Sequence, residues 1–158
     1  MIYFAYGSNM LASRLQRRIE SRDLGRAVLS GWRIICNKPS KDGSGKVNIT
    51  LDPGAEVLGV LYRVDAAGIE DLDAIEYGYE RTALMVDGEG GRVLAQVYIW
   101  TAASEPLALY RWYLDLVIAG ALEHGLPEAY IEQFRRAPIM PEPDGSMLAV
   151  DRRKTRGG

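Results

Sequence analysis

The chain has 158 residues, 47% hydrophobic and 25% charged, which is the make-up of one globular domain with a sizeable core. No apolar run approaches the ~18 residues of a membrane span. A net charge of −2 excludes the basic surface that nucleic acid demands. The chain opens on a strand-like segment without a secretory cleavage pattern, and its one cysteine, Cys36, allows no intramolecular disulfide. The expectation is a cytoplasmic protein, monomeric or homodimeric, with neither membrane nor nucleic-acid partners. A single domain is expected over residues 1–150. Asp151, Arg152, Arg153, Lys154 and Arg156 make residues 151–158 a basic, disordered tail in this reading.

Ile2–Tyr6 reads as the first strand, broken by Gly7-Ser8. Asn9 is placed to cap a short helix with Met10, Leu11 and Leu15 at helical spacing. Gly25–Cys36 reads as a strand, and Asn37–Lys46, with Pro39, Gly43 and Gly45, as a polar loop. Val47–Leu51 and Val57–Val64 are expected strands joined by an Asp52-Pro53-Gly54 turn. Asp65 caps a helix reaching Glu76. Thr82–Val86 and Val93–Trp100 form a hairpin around residues 87–91. A long helix from Glu105 to His124 stops at Gly125, and Pro127 reopens a helix that fades near Arg136. Six strands and four helices without βαβ alternation predict an α+β fold. Its sheet is curled and mainly antiparallel, or closed into a small barrel, with helices on its flanks.

Several chemistries lack their residues. Gly45-Lys46 is followed by Val47, so no Walker-type phosphate loop exists, and Val93 stands where a dinucleotide fingerprint started by Gly88 and Gly90 needs glycine. One cysteine and one histidine do not make an ordinary zinc site, so no metal is expected. Ser8 sits in a strand–turn–helix context, as an elbow nucleophile does, but Tyr6-Gly7-Ser8-Asn9-Met10 lacks the second glycine. Its only candidate base, His124, is accounted for by its place at a helix C-terminus.

Two features carry more. At the Gly7-Ser8-Asn9 junction the amides that begin a helix are unpaired and partly positive, suited to a carboxylate or oxyanion, and Gly7 permits close approach. Plain capping explains the same residues. On the following helix Ile69, Leu72 and Glu76 share one face. Glu76 therefore extends an apolar stripe at a helix C-terminus, where desolvation and the helix dipole both raise a carboxyl's pKa toward the range of a general base. A carboxylate reaching water from a frayed end is the alternative.

Tyr3-Phe4-Ala5-Tyr6-Gly7-Ser8-Asn9-Met10 resembles the N-terminal signature of the gamma-glutamylcyclotransferase family, an aromatic strand running into Tyr-Gly-Ser-Asn-Leu. Leu72-Asp73-Ala74-Ile75-Glu76 resembles that family's second motif, which ends in the catalytic glutamate. The helix from Tyr113 to His124-Gly125-Leu126-Pro127 is similar to its C-terminal segment. The three occur in the family's order and span most of residues 1–135. Two departures are visible: Met10 replaces the usual leucine, and Tyr77 intervenes between Glu76 and Gly78.

The resemblance implies release of 5-oxoproline from a gamma-glutamyl compound without cofactor, the substrate's α-amine attacking its own side-chain carbonyl. Glu76 is implied as the acid/base, and Tyr6, Gly7, Ser8, Asn9, Tyr98 and Tyr113 as substrate contacts. Core packing is an equal reading of Tyr98 and Tyr113, and Cys36 reads as a buried strand residue. The leaving group stays open between an amino acid, an amine and a gamma-glutamyl-protected biosynthetic intermediate. A non-catalytic anion-binding protein on the same scaffold is the alternative of a different class.

Overall fold

The computed structural model describes residues 1–142. The basic tail expected over 151–158, and the last residues of the domain expected over 1–150, lie outside the described residues. The elements in order are β1 (Ile2–Ala5), a 3-10 turn (Ser8–Met10), α1 (Ala12–Gln16), β2 (Arg22–Pro39), β3 (Gly45–Arg63), α2 (Ala66–Ile75), β4 (Glu80–Gly88), β5 (Gly91–Ile99), α3 (Arg111–Glu123) and α4 (Glu128–Arg135). The strands close into a barrel in the order β1-β3-β2-β4-β5. All neighbours are antiparallel except β1 and β5, which run parallel with Tyr3 opposite Gln96. The α+β expectation holds, and closure leaves no open sheet edge for another chain to extend.

Five strands form among the described residues rather than six, because the two segments expected on either side of Asp52-Pro53-Gly54 belong to one strand, β3. The ladder passes from Ser30↔Glu56 to Trp32↔Leu51, so residues 52–55 bulge outward opposite Gly31 alone. A bulge tolerates proline, whose missing N–H interrupts a regular ladder. The polar loop expected over Asn37–Lys46 shrinks likewise. Pairing continues to Pro39↔Gly45, and the turn is closed by Ser40 N–H to Ser44 O at 2.9 Å and Gly43 N–H to Ser40 O at 3.0 Å. Two cross-strand periods won over local turn chemistry.

The helices follow the expected caps with two exceptions. Asp65 accepts from Gly68 N–H at 2.7 Å and starts α2. Gly125, at φ +65°, ends α3, with Leu126 N–H on Ala121 O at 3.0 Å completing a Schellman-type stop. The long helix begins at Arg111, not Glu105. Leu107 N–H donates to Cys36 O at 2.7 Å and Ala108 O accepts from Gly45 N–H at 2.8 Å, which holds this stretch extended against the β2–β3 end. Asn9 caps nothing; its side chain turns inward. No helix among the described residues is long and apolar enough to cross a membrane.

A continuous apolar core fills the barrel and the seam beneath α3. That seam positions the β1–α1 loop. Tyr62 OH donates to Met10 O at 2.8 Å, and α3 presses Gly120 onto the same backbone. A Cβ on Gly120 would stand 2.5 Å from Leu11 N and 2.7 Å from Met10 C. Gly→Ala in an open helix stabilises by about 1 kcal/mol, but overpacking against backbone costs about 1–3 kcal/mol. Gly120→Ala is therefore expected to destabilise, measured as a lower urea midpoint with unchanged slope. A midpoint at or above that of the parent would show that the turn gives way.

Candidate functional site

The end of β1 delivers Tyr6-Gly7 to the 3-10 turn, and the end of α2 delivers Glu76 opposite it. Between them lies a cavity of about 350 Å³ empty volume. Tyr6, Gly7, Ser8, Asn9, Glu76, Tyr98 and Tyr113, the residues singled out in the sequence, all line it, joined by Tyr3, Phe4, Val47 and Tyr79.

Asn9 Nδ2 donates to Glu76 Oε1 at 3.0 Å and to Tyr3 OH at 3.1 Å. The Arg18 guanidinium stands 3.8 Å from the same Oε1. Glu76 Oε2 has no hydrogen bond among the described residues, so one carboxylate oxygen is anchored and the other is open to chemistry. The Glu76 side chain is 19% exposed. Burial raises its pKa, and the charges of Arg18, Arg14 and Lys38 together with the Asn9 hydrogen bond only partly offset this. Asn9 Oδ1 is buried without a partner among the described residues, an acceptor awaiting a donor.

The tyrosines divide into two sets. Tyr6 OH donates to Tyr98 O in a short bond, and Tyr98 OH donates to Asp73 Oδ1 at 2.8 Å on α2. Their rings face the cavity while their hydroxyls tie β1, β5 and α2 together. Tyr113 OH accepts from Val47 N–H at 3.1 Å, and Tyr79 OH donates to Val47 O at 2.8 Å. The hydroxyl protons of Tyr3 and Tyr113 have no acceptor among the described residues. Gly7 has φ −114°, a value open to any residue. What it provides is room, since a Cβ there would lie 3.4 Å from Tyr113 OH.

Ser8 Oγ accepts from the buried Arg14 Nε at 3.0 Å, and no base is brought to it. His124 lies elsewhere, with Nδ1 on Gly120 O at 2.9 Å and Nε2 on Asp23 Oδ2 at 2.6 Å. Burial alone would lower its pKa, but these two partners raise it. The serine-hydrolase constellation is therefore not assembled. Asp23, Glu123 and His124 approach one another within 4.8 Å, yet both ring nitrogens are already engaged. Cys36 is partly exposed rather than buried on β2, with its thiol pushed up to about 11 by burial.

Sequence reasoning missed Tyr3, Tyr79, Arg14, Arg18 and Lys38. Arg14 and Arg18 left a readable trace, an i, i+4 basic pair directly after the Tyr-Gly-Ser-Asn loop. Lys38 left none, since an alternating strand gives no sign that its ammonium ends between two aromatic rings.

A closed barrel with a buried acid held against a Gly-Ser-Asn turn places the chain in a defined class of small α+β proteins. The AIG2-like family matches residues 56–134, half of the chain, and the chain belongs to that family. The matched segment includes Glu76, Tyr98 and Tyr113 but not the loop at residues 6–9. Relatives include the gamma-glutamylcyclotransferases of Mus musculus, 29% identical, and Homo sapiens, 27% identical. Each match spans 147 residues and covers 85% of this chain and 77% of the relative. A solved structure titled gamma-glutamyl cyclotransferase superposes with a TM-score of 0.81 at 23% identity, covering 97% of this chain and 98% of that one. The fold is shared.

The raised pKa of Glu76 has a consequence for stability. Folded, its carboxyl binds its proton more tightly than in the unfolded chain, where it titrates near ~4.3. Its contribution is complete below that pH and is lost as pH rises through the higher folded value. Glu76→Gln removes this loss, so the melting temperature of the variant relative to the parent should climb between pH 4 and pH 7. A relative melting temperature that falls with rising pH would place the carboxyl below its ordinary range.

Proposed function

We propose that this chain is a gamma-glutamylcyclotransferase, which converts a gamma-glutamyl compound into 5-oxoproline and a free amine or amino acid. The observation that carries the reading is a single buried carboxylate, Glu76, with one oxygen anchored by Asn9 and the other facing a cavity walled by the Gly7-Ser8-Asn9 turn. Relatives bearing that activity in their names, over most of the chain, support it.

The reaction asks little of the protein beyond shape and one proton carrier. A gamma-glutamyl group folded into the cavity brings its α-amine onto its own δ-carbonyl. Holding that conformer converts a rare collision into a poised one. The amine must be neutral to attack, and Glu76, with its affinity for protons raised, takes the proton as the C–N bond of the ring forms. Asn9 Oδ1 is suited to accept from that same amine. The carbonyl oxygen becomes an oxyanion, and the amides of the turn at Gly7, Ser8 and Asn9 supply donors where charge develops. Glu76 then hands its proton to the leaving nitrogen as the original amide bond breaks. No water is consumed, no group of the enzyme is acylated, and the carboxylate is restored. The rings of Tyr6, Tyr98 and Tyr113 shape the cavity around the glutamyl chain. A cytoplasmic, monomeric or homodimeric enzyme that uses no cofactor completes the proposal.

The deciding measurement is 5-oxoproline release across a panel of gamma-glutamyl substrates. Glu76→Gln is expected to fold and to lose at least ~10²-fold in kcat, the scale of a general base. Near-normal turnover by a folded Gln variant would sink the assignment. Gly7→Val should abolish detectable turnover while melting within a few degrees of the parent, because φ −114° accommodates valine whereas the cavity does not. A variant that unfolds would instead make Gly7 a structural residue, and one that binds 5-oxoproline normally by calorimetry would move the site.

A further inference from the structure

Beside the inner cavity, and sharing Ser8, Glu76, Tyr79 and Tyr113 with it, lies a second space of about 590 Å³ empty volume. The inner cavity has no Lys or Arg in its lining; this vestibule has Arg14, Arg18, Lys38 and Lys46. The two spaces meet at Glu76. If the cyclising half of the substrate fills the inner cavity, the scissile bond sits at that boundary and the leaving group extends into the vestibule.

Three of the four cations have partners on the page: Arg14 on Ser8 Oγ, Arg18 near Glu76 Oε1, and Lys46 3.5 Å from Asp42 Oδ2. Lys38 differs. The residue is 8% exposed, yet its ammonium makes no hydrogen bond or ion pair among the described residues. It is held by faces alone, 5.3 Å from the centroid of the Tyr79 ring and 5.5 Å from that of Trp100. Gly78, at φ +90°, closes over it so tightly that a Cβ there would lie 3.3 Å from Nζ. Glu76 and Asp42 act on it only through space, as does the like charge of Lys41, and burial lowers its pKa. A buried ammonium with three unused protons is costly unless an acceptor arrives.

We propose that Lys38 is the receptor for a carboxylate carried by the leaving group, so that the enzyme acts on gamma-glutamyl amino acids in preference to gamma-glutamylamines. The proposal rests on the cyclotransferase reading and narrows it. The glutamyl half's own α-carboxylate lies, in this arrangement, among the neutral donors of the inner cavity. Aromatic faces fix the ammonium without neutralising it, which leaves its charge and protons for a ligand. Lys38 would thus be a specificity-determining residue, distinct from the proton carrier.

The test compares gamma-glutamylalanine with gamma-glutamylethylamine, which differ only by the leaving group's carboxylate. A charge-assisted contact at a buried site corresponds to roughly 10–100-fold in kcat/KM in favour of the alanine conjugate. In Lys38→Met that ratio should collapse to within about 3-fold of unity, mainly through the KM of the alanine conjugate. Lys38→Gln, which keeps a polar tip between the rings, is run alongside for the same ratio, with melting curves for both. Release of 5-oxoproline from both substrates at equal efficiency by the parent enzyme would overturn the carboxylate proposal and leave the cyclotransferase reading standing. Parallel losses on both substrates, with the ratio preserved, would mean that Lys38 reads the glutamyl half or tunes Glu76, and would also overturn it. Turnover of neither substrate would defeat the function itself.

Discussion

Asn9 Nδ2 grips Glu76 Oε1 at 3.0 Å across 67 residues of sequence, and much of the molecule serves to bring those two side chains together. β1 must lie between β3 and β5 for its last residues to reach the site, and α2 must lie across β5 for Glu76 to meet them. Tyrosine hydroxyls fasten each approach. Tyr6 binds the carbonyl of Tyr98, Tyr98 binds Asp73 on α2, and Tyr62 binds the carbonyl of Met10. α3 then seals the back of the turn through Gly120, where no side chain fits. A displacement at any of these points would be felt as a shift of the carboxylate relative to the turn, and positioning errors of an ångström matter for proton transfer.

Electrostatics at the same place run against stability. Burial raises the pKa of Glu76, while Arg18, Arg14 and Lys38 pull it back without prevailing. Lys38 is itself disfavoured by burial. The site therefore holds an acid and a base in an environment that penalises both charges, and their separation leaves neither neutralised by the other. A fold designed for stability alone would pair them or replace both with apolar residues. Retaining them apart is intelligible if a substrate supplies the missing partners, an amine to the acid and an acid to the amine.

The two adjoining spaces also differ in what they contribute. The inner cavity offers a turn of backbone amides, four tyrosine rings lettered along β1, β5 and α3 with that of Tyr79, and Glu76. Its walls are rigid because they are strand ends and engaged side chains. The vestibule is built from α1, the β2–β3 turn and the Tyr77-Gly78 segment, and carries the charge. Lys41 lies 4.5 Å from the centroid of the exposed Tyr77 ring, joining the last two of these across its mouth. Chemistry common to many substrates suits the first space; discrimination among them suits the second.

How far all this was legible follows from the range of the forces involved. Local rules identified the strand-to-turn junction at Tyr6–Asn9, the Asp65 cap, the helix ending at Glu76 and the Gly125 stop, since capping bonds and backbone conformation depend on near neighbours. The periodicity that put Glu76 on an apolar face was likewise readable, and it marked the acid that the structure buries. Tertiary structure alone decided the rest. Two expected strands became one because pairing with β2 carried β3 through Pro53. Asn9, a cap by every local rule, turned instead to Glu76, because a buried carboxylate needs a donor more than an exposed turn needs a cap. Lys38 reads as an ordinary strand lysine until Tyr79 and Trp100 close around it, since an environment made by residues 41 and 62 positions away has no signature in the segment itself.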